Sequence, residues 1–358
     1  MKVRAPIERM GTYDPPLEGR EDEDMLLLDF NESTQPPSAE VLGALEAALR
    51  SGALNHYPAY EAMMEALSTY AGVPQEQIIL TNGSDQALDI SIRALLNEGD
   101  EMVFAQPGFA MIPQVADVQG AITVSVPYRE DMTFPYEEIL AAITPRTRLI
   151  ALINPNNPTG TPITQQQIEA ILDAHREVAV LVDEAYFEFT GVTSIPLLAA
   201  HDNLFITRTF SKAFALAGMR LGYVISNPEF ISHLYKVRGP YDINTLAITA
   251  ARAALEHPGA WKGYVEEVMT RAKPMVERFF DEHGVTYIPG AANFMLVKPD
   301  DRDGAFAWLR ENGILVRPQK PPIGDTFRLS VGTVADMTRF MEVYSDYLRG
   351  PAALASEA

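Results

Sequence analysis

The sequence contains no cysteine among its 358 residues. That absence excludes a disulfide framework, thiolate zinc sites, iron-sulfur clusters and a thiol nucleophile together. Cations are scarce too: 28 Lys and Arg face 48 Asp and Glu, a formal net charge of -20. A surface of that sign repels phosphate backbones and anionic lipid, and no basic patch offsets it, so nucleic acid and membranes are not expected partners. No apolar run approaches the roughly 18 residues that a membrane helix needs. The opening Met1-Lys2-Val3-Arg4-Ala5-Pro6-Ile7-Glu8 has no apolar signal core, so a cytoplasmic location is expected. The six histidines, His56, His175, His201, His233, His257 and His283, lack metal-ligand spacing, and no metal is expected. No Gly-rich dinucleotide fingerprint and no Gly-Lys-Ser phosphate loop is present, so NAD and ATP are not implied.

What is present is 47% apolar residues over a length that suits two domains, or one large domain with an appendage. Between residues 76 and 226, short apolar runs alternate with helical stretches, at 78–80, 102–105, 122–126, 149–153, 179–182, 205–207 and 221–225. Near-continuous apolar runs indicate strands covered on both faces, hence a mainly parallel seven-stranded sheet between helices. After about residue 250 a long helix (261–282, kinked at Pro274 and ended by Gly284), short strands near 294–297 and 327–331, and a closing helix after Thr333 read as a smaller α/β domain. The expected division is an N-terminal arm (1–35), a large domain (36–248), a small domain (249–350) and a tail (351–358). Thr164 and Gln167 have capping-box spacing. The charged run at 18–24 reads as a solvated loop in a mobile arm.

In such sheets chemistry gathers beyond the carboxyl ends of strands. The strongest segment there is Thr209-Phe210-Ser211-Lys212, followed by Arg220. A lone Lys after a strand is usually a solvated surface residue. Upstream, however, lie Asn154-Pro155-Asn156-Asn157-Pro158-Thr159-Gly160 and Val182-Asp183-Glu184-Ala185-Tyr186, each directly after a buried apolar run. With these residues in this order, the chain resembles the fold type I pyridoxal phosphate-dependent aminotransferases (class I/II) from about residue 10 to 349. Leu28-Asp29-Phe30-Asn31-Glu32, Tyr57-Pro58, Gly83-Ser84-Asp85-Gln86 and Gly313-Ile314-Leu315-Val316-Arg317-Pro318-Gln319 look like the histidinol-phosphate aminotransferase branch. Ser33-Thr34, Ala59 and Phe109 depart from that branch's usual pattern.

The residue chemistry agrees with the resemblance. An aldehyde cofactor needs a primary amine to hold it and later to move a proton, and Lys212 supplies both. A pyridine nitrogen serves as an electron sink only when protonated, which calls for a buried carboxylate such as Asp183. A phosphate needs converging N–H donors and a cation. Gly83-Ser84-Asp85 at a helix start, with Ser211, Thr209 and the planar fork of Arg220, provides them. Ser84 alone would be an ordinary N-cap, Asn157 a turn residue before Pro158, and Phe109 a core aromatic.

The resemblance adds roles. It implies pyridoxal 5'-phosphate as cofactor, with Tyr186 and Asn157 on its ring oxygen and Phe109 stacked on its ring. It also implies a homodimer with shared active sites, in which Tyr57 of one subunit meets the cofactor phosphate of the other. Arg328 and Arg317 would take substrate anions, Asn157 would also face substrate, and Tyr13 would act as a lid. The partners are then a small-molecule amino donor and a 2-oxo acid, with histidinol phosphate and 2-oxoglutarate the expected pair. Aromatic or other amino acid aminotransferases, a threonine-phosphate decarboxylase-like enzyme, and a non-catalytic binding protein of the same fold remain as alternatives.

Overall fold

The computed structural model describes residues 1–13, 15, 17, 20 and 24–350. Of the charged run at 18–24 only Arg20 and Asp24 are described; the solvated loop expected there and the tail at 351–358 lie outside the described residues. Twelve strands are described: β1 (Leu26–Leu28), β2 (Ile78–Thr81), β3 (Glu101–Gln106), β4 (Ile122–Pro127), β5 (Thr147–Ile153), β6 (Ala179–Asp183), β7 (Leu204–Thr209), β8 (Gly222–Ser226), β9 (Thr286–Ile288), β10 (Phe294–Lys298), β11 (Ile314–Pro318) and β12 (Phe327–Ser330).

Strands β2 to β8 form one sheet in the order β2-β8-β7-β6-β5-β3-β4. Its pairings are parallel from β7 through β4, and β8 alone runs antiparallel to both its neighbours. The reversal has a local cause. Parallel neighbours need a crossover, usually helical, whereas β7 and β8 are joined by an irregular loop with only one short helical turn, so β8 returns beside β7 the opposite way. That loop holds Lys212 and Arg220. Successive residues of the central strands face opposite sides, and both sides are apolar. Val103, Ile150, Leu152, Val180, Val182 and Ile206 enter one core, while Met102, Phe104, Leu149, Ala151, Leu181 and Phe205 enter the other. The expectation of strands covered on both faces fails at β4, an edge strand whose Ile122 is 44% exposed.

The second sheet has the order β1-β11-β12-β10-β9. Leu26–Leu28, from the stretch assigned to the arm, pairs in parallel with Ile314, Leu315 and Val316. Its helical layer includes the long helix around Pro274. Proline lacks the N–H of a continuing helix and crowds the preceding turn, and here the chain passes from helix Gly259–Glu267 through a π-helical turn, Val268–Ala272, into helix Lys273–His283. Gly284 ends it at φ 66°. The expected capping box is formed: Gln167 N donates to Thr164 Oγ1 at 3.2 Å and Thr164 N to Gln167 Oε1 at 3.0 Å. No helix among the described residues is long and apolar enough to cross a membrane.

Candidate active site

Because β2, β3, β5, β6 and β7 share one direction, their C-terminal ends open on one side of the sheet. There they surround a cavity of 330 Å³, a size suited to a small cofactor. Ser84 and Asp85 reach it from the start of helix Gly83–Leu95, Phe109 from the loop after β3, and Asn157 from the loop after β5. Asp183 and Tyr186 come from the end of β6, and Thr209, Ser211, Lys212 and Arg220 from the end of β7 and its loop. Ten residues singled out from the sequence thus line one space.

At one end the lining is built for an anion. Helix Gly83–Leu95 starts there, and its first backbone N–H groups have no partner within the helix. A Cβ on Gly83 would come within 2.5 Å of Arg220 Nη2, and one on Gly222 within 2.7 Å of Ser84 N, so bare backbone lets the guanidinium and β8 close on the helix terminus. Arg220 occupies the left-handed region at φ 56°, which a non-glycine residue adopts only where its surroundings enforce it. Its guanidinium is fixed by Asp85 at 2.8 Å and the Ala217 carbonyl at 3.2 Å. Ser211 N donates to Thr209 Oγ1 at 3.0 Å, and the Thr209 hydroxyl donates to Ser211 Oγ at 2.9 Å.

At the other end lie the groups that titrate. Asp183 is buried and accepts a hydrogen bond from Thr207 Oγ1 at 2.8 Å; burial pushes its carboxyl up to about 7. Lys212 Nζ donates to the Phe30 carbonyl at 2.7 Å; burial, and then the nearby Arg328 charge, lower its amine to about 8. Tyr186 OH accepts from Asn157 Nδ2 at 3.1 Å and from Asn31 Nδ2 at 2.9 Å, and burial raises the phenol's pKa. Glu184, next to Asp183, turns away from the cavity and binds Arg208 at 2.8 Å.

Arg328, on β12, donates to Asn157 Oδ1 and to the Asp29 carbonyl. Arg317, on β11, sits directly opposite it in the antiparallel register. Arg317 Nη1 and Arg328 Nε are buried with no hydrogen-bond partner among the described residues. Tyr13 is 37% exposed and close enough to interact electrostatically with both arginines. Tyr57 does not line this cavity. It is 75% exposed and stacks on Tyr241 at 4.1 Å between ring centres. Three neighbours of the site were given no role from the sequence: Asn31, held at φ 56° with its N–H donating to Ser330 Oγ at 2.8 Å, Asp29 and Arg20.

The sequence model of the family described as aminotransferase class I and II matches residues 23–343. The chain belongs to this family. The aminotransferase is 35% identical over 348 residues to a histidinol-phosphate aminotransferase of Geotalea daltonii, covering 95% of this chain and 97% of that protein. It is also 35% identical over 346 residues to an aromatic amino acid aminotransferase of Rhodococcus jostii, covering 95% and 94%. A histidinol-phosphate aminotransferase of Sinorhizobium meliloti, solved with pyridoxal 5'-phosphate, superposes with TM-score 0.87 at 26% identity, over 97% of this chain and 98% of that one.

The enzyme is pyridoxal phosphate-dependent, and its cavity fits that cofactor. The helix start closed by Arg220, with the hydroxyls of Ser84, Thr209 and Ser211, has the donor set of a phosphate site, while the buried Asp183 carboxylate and the Lys212 amine lie in the same cavity. Asp183 gives a test of stability. Its carboxyl titrates near 7 when folded and near 3.9 in an unfolded chain, so as pH rises through this window the folded cofactor-free enzyme bears a growing penalty, on the order of 4 kcal/mol above pH 7. Asp183→Asn should therefore stabilise the cofactor-free enzyme at pH 8, with the gain fading as pH falls toward 4, and should weaken cofactor binding. Thermal melts across pH and a cofactor titration read the two effects; a destabilised variant at pH 8 would contradict the burial argument.

Proposed function

We propose that this aminotransferase moves the amino group of histidinol phosphate to 2-oxoglutarate, working in the cytoplasm as a homodimer with shared active sites. The carrying observation is the pair Arg317 and Arg328. Like charges directly opposite across a strand pair destabilise it, and neither meets a carboxylate in an ion pair among the described residues. Each retains a buried unpaired donor. Such a pair calls for an anion of high charge. A phosphate monoester dianion supplies it in one half-reaction, and the carboxylates of glutamate and 2-oxoglutarate in the other.

When bound, pyridoxal phosphate supplies an aldehyde that receives the amino group and a ring that accepts the electron pair left on the substrate carbon when its proton departs. The chain's residues do the rest. Ser84, Thr209, Ser211 and Arg220 would hold the phosphate. Asp183 would keep the proton on the ring nitrogen, Asn157 and Tyr186 would bind the ring oxygen, and Phe109 would cover the ring. Lys212 Nζ would hold the aldehyde and would carry the proton to and from the substrate carbon, for which a pKa near 8 is well placed. Asn157 would link this centre to substrate through Arg328, and Tyr13, near both arginines, would close over them. In a single turnover, histidinol phosphate should shift the absorbance of the bound cofactor and 2-oxoglutarate should restore it. No shift would contradict the reading.

A second reading, an aromatic amino acid aminotransferase, is favoured by the Rhodococcus jostii relative. A monoanionic amino acid needs one arginine, and on that reading Arg317 would contribute little.

The dimer is supported by large apolar residues left exposed on the large domain. Leu42 and Leu49, seven apart on helix Ala39–Arg50, are exposed, as are Leu54, Tyr57 and Tyr241 nearby in sequence or by stacking. A second copy could cover them, with Tyr57 at the neighbouring phosphate site as the family resemblance implies. Refolding a mixture of inactive Lys212→Ala with a Tyr57→Ala chain should regenerate hybrid dimers carrying one intact site. A monomer by light scattering at assay concentration, or no recovered activity, would count against shared sites.

A further inference from the structure

Residues 29–32 meet the site at several points. The Asp29 carbonyl accepts from Arg328, the Phe30 carbonyl from Lys212, Asn31 donates to Tyr186, and Glu32 lines the cavity. A stretch without helix or strand bonds of its own takes its position from whatever grips it. Arg20 grips three of the four residues. Its Nη1 donates to the Asp29 carboxylate, its Nη2 donates to the Glu32 carboxylate, and its Cζ lies 4.4 Å from the centre of the Phe30 ring. The Arg20 and Asp29 side chains are 14% and 3% exposed, so this bridge is largely out of water, where charge-assisted bonds are strong. The planar fork is what allows one cation to hold two carboxylates.

The charges facing Lys212 come from several elements: Arg328 on β12, Arg220 before β8, Asp85 on helix Gly83–Leu95, Asp183 on β6, and Glu32. Glu32 favours the protonated amine, and Arg20 faces Glu32 together with Asp29. We propose that Arg20 is a positioning residue for proton transfer: it fixes the Phe30 carbonyl and the Arg328 contact in place and cancels the charge that Glu32 would otherwise present to Lys212. This rests on Lys212 as the cofactor-bearing amine and is independent of which amino donor the enzyme takes.

The test uses Arg20→Gln as full-length protein, with and without cofactor. In the cofactor-free protein, the pH midpoint for acetylation of Lys212 by acetic anhydride, read by peptide mass spectrometry, should rise by about half a unit to one unit, because the amine holds its proton more tightly beside an uncompensated carboxylate. In the holoenzyme the absorbance titration of the bound cofactor should move the same way, and kcat should fall about tenfold. Arg20→Lys should restore the midpoint but only part of kcat, since an ammonium does not bridge both carboxylates. Adding Glu32→Gln to Arg20→Gln should return the midpoint toward that of the parent enzyme. Should Arg20→Gln fail to fold, Glu32→Gln alone carries the test, because it removes the carboxylate that favours the protonated amine while Arg20 stays paired with Asp29, and must lower the midpoint. An unchanged midpoint in either single variant, or a double variant that keeps the raised one, overturns the proposal. A preference for an aromatic donor would overturn the substrate reading and leave these midpoints unaffected.

Discussion

Lys212→Ala should lose transamination by roughly 10⁴-fold or more while still binding pyridoxal phosphate, because the groups that recognise the phosphate are separate from the amine that moves the proton. Ser84, Thr209, Ser211 and Arg220 are held by the helix start and by contacts that do not involve Lys212. Removing the amine therefore leaves the anion site built. Equilibrium dialysis of cofactor and single-turnover absorbance on the variant separate the two effects. Loss of cofactor binding to the same degree as activity would show that Lys212 and the phosphate site act as one unit.

Arg328→Ala should damage both half-reactions, and Arg317→Ala should impair histidinol phosphate far more than glutamate. Charge-assisted hydrogen bonds contribute about 1.5–3 kcal/mol each, or roughly 10- to 150-fold in kcat/KM, and a phosphate dianion loses more than a single carboxylate group when one cation is removed. Arg328 has a second task, since it also holds Asn157 and the Asp29 carbonyl, so its loss loosens the cofactor's neighbours as well as the substrate. Steady-state kinetics of each half-reaction separates the arginines. Equal losses for both donors in Arg317→Ala would remove the dual-anion reading of the pair.

The large sheet was readable because its central strands are buried on both faces, so apolar runs such as Ile150, Ala151 and Leu152 stand out without any alternation. The residues at the strand ends were readable because Asp183, Asn157 and Lys212 each follow such a run directly. Strands β1 and β9 were not, because each has only three residues and is held by partners almost three hundred and about ten residues away, respectively. Arg20 lay in a charged run whose composition reads as solvated, and nothing local shows that it meets Asp29 and Glu32. Asn31 was visible only as part of a family-like segment; its place beside Tyr186 depends on the fold bringing Ser330 and Asn293 to it. Tertiary contacts of this kind leave no periodic trace in the sequence.

The paired arginines are assigned to histidinol phosphate, and the substrate reading turns on that assignment. Measuring kcat/KM for histidinol phosphate, phenylalanine, tyrosine and threonine phosphate with one enzyme preparation and 2-oxoglutarate in excess tests it directly. The expected result is a clear preference for histidinol phosphate. An aromatic amino acid winning by a wide margin, or release of carbon dioxide from threonine phosphate, would contradict the substrate assignment while leaving Lys212 and its cofactor in place.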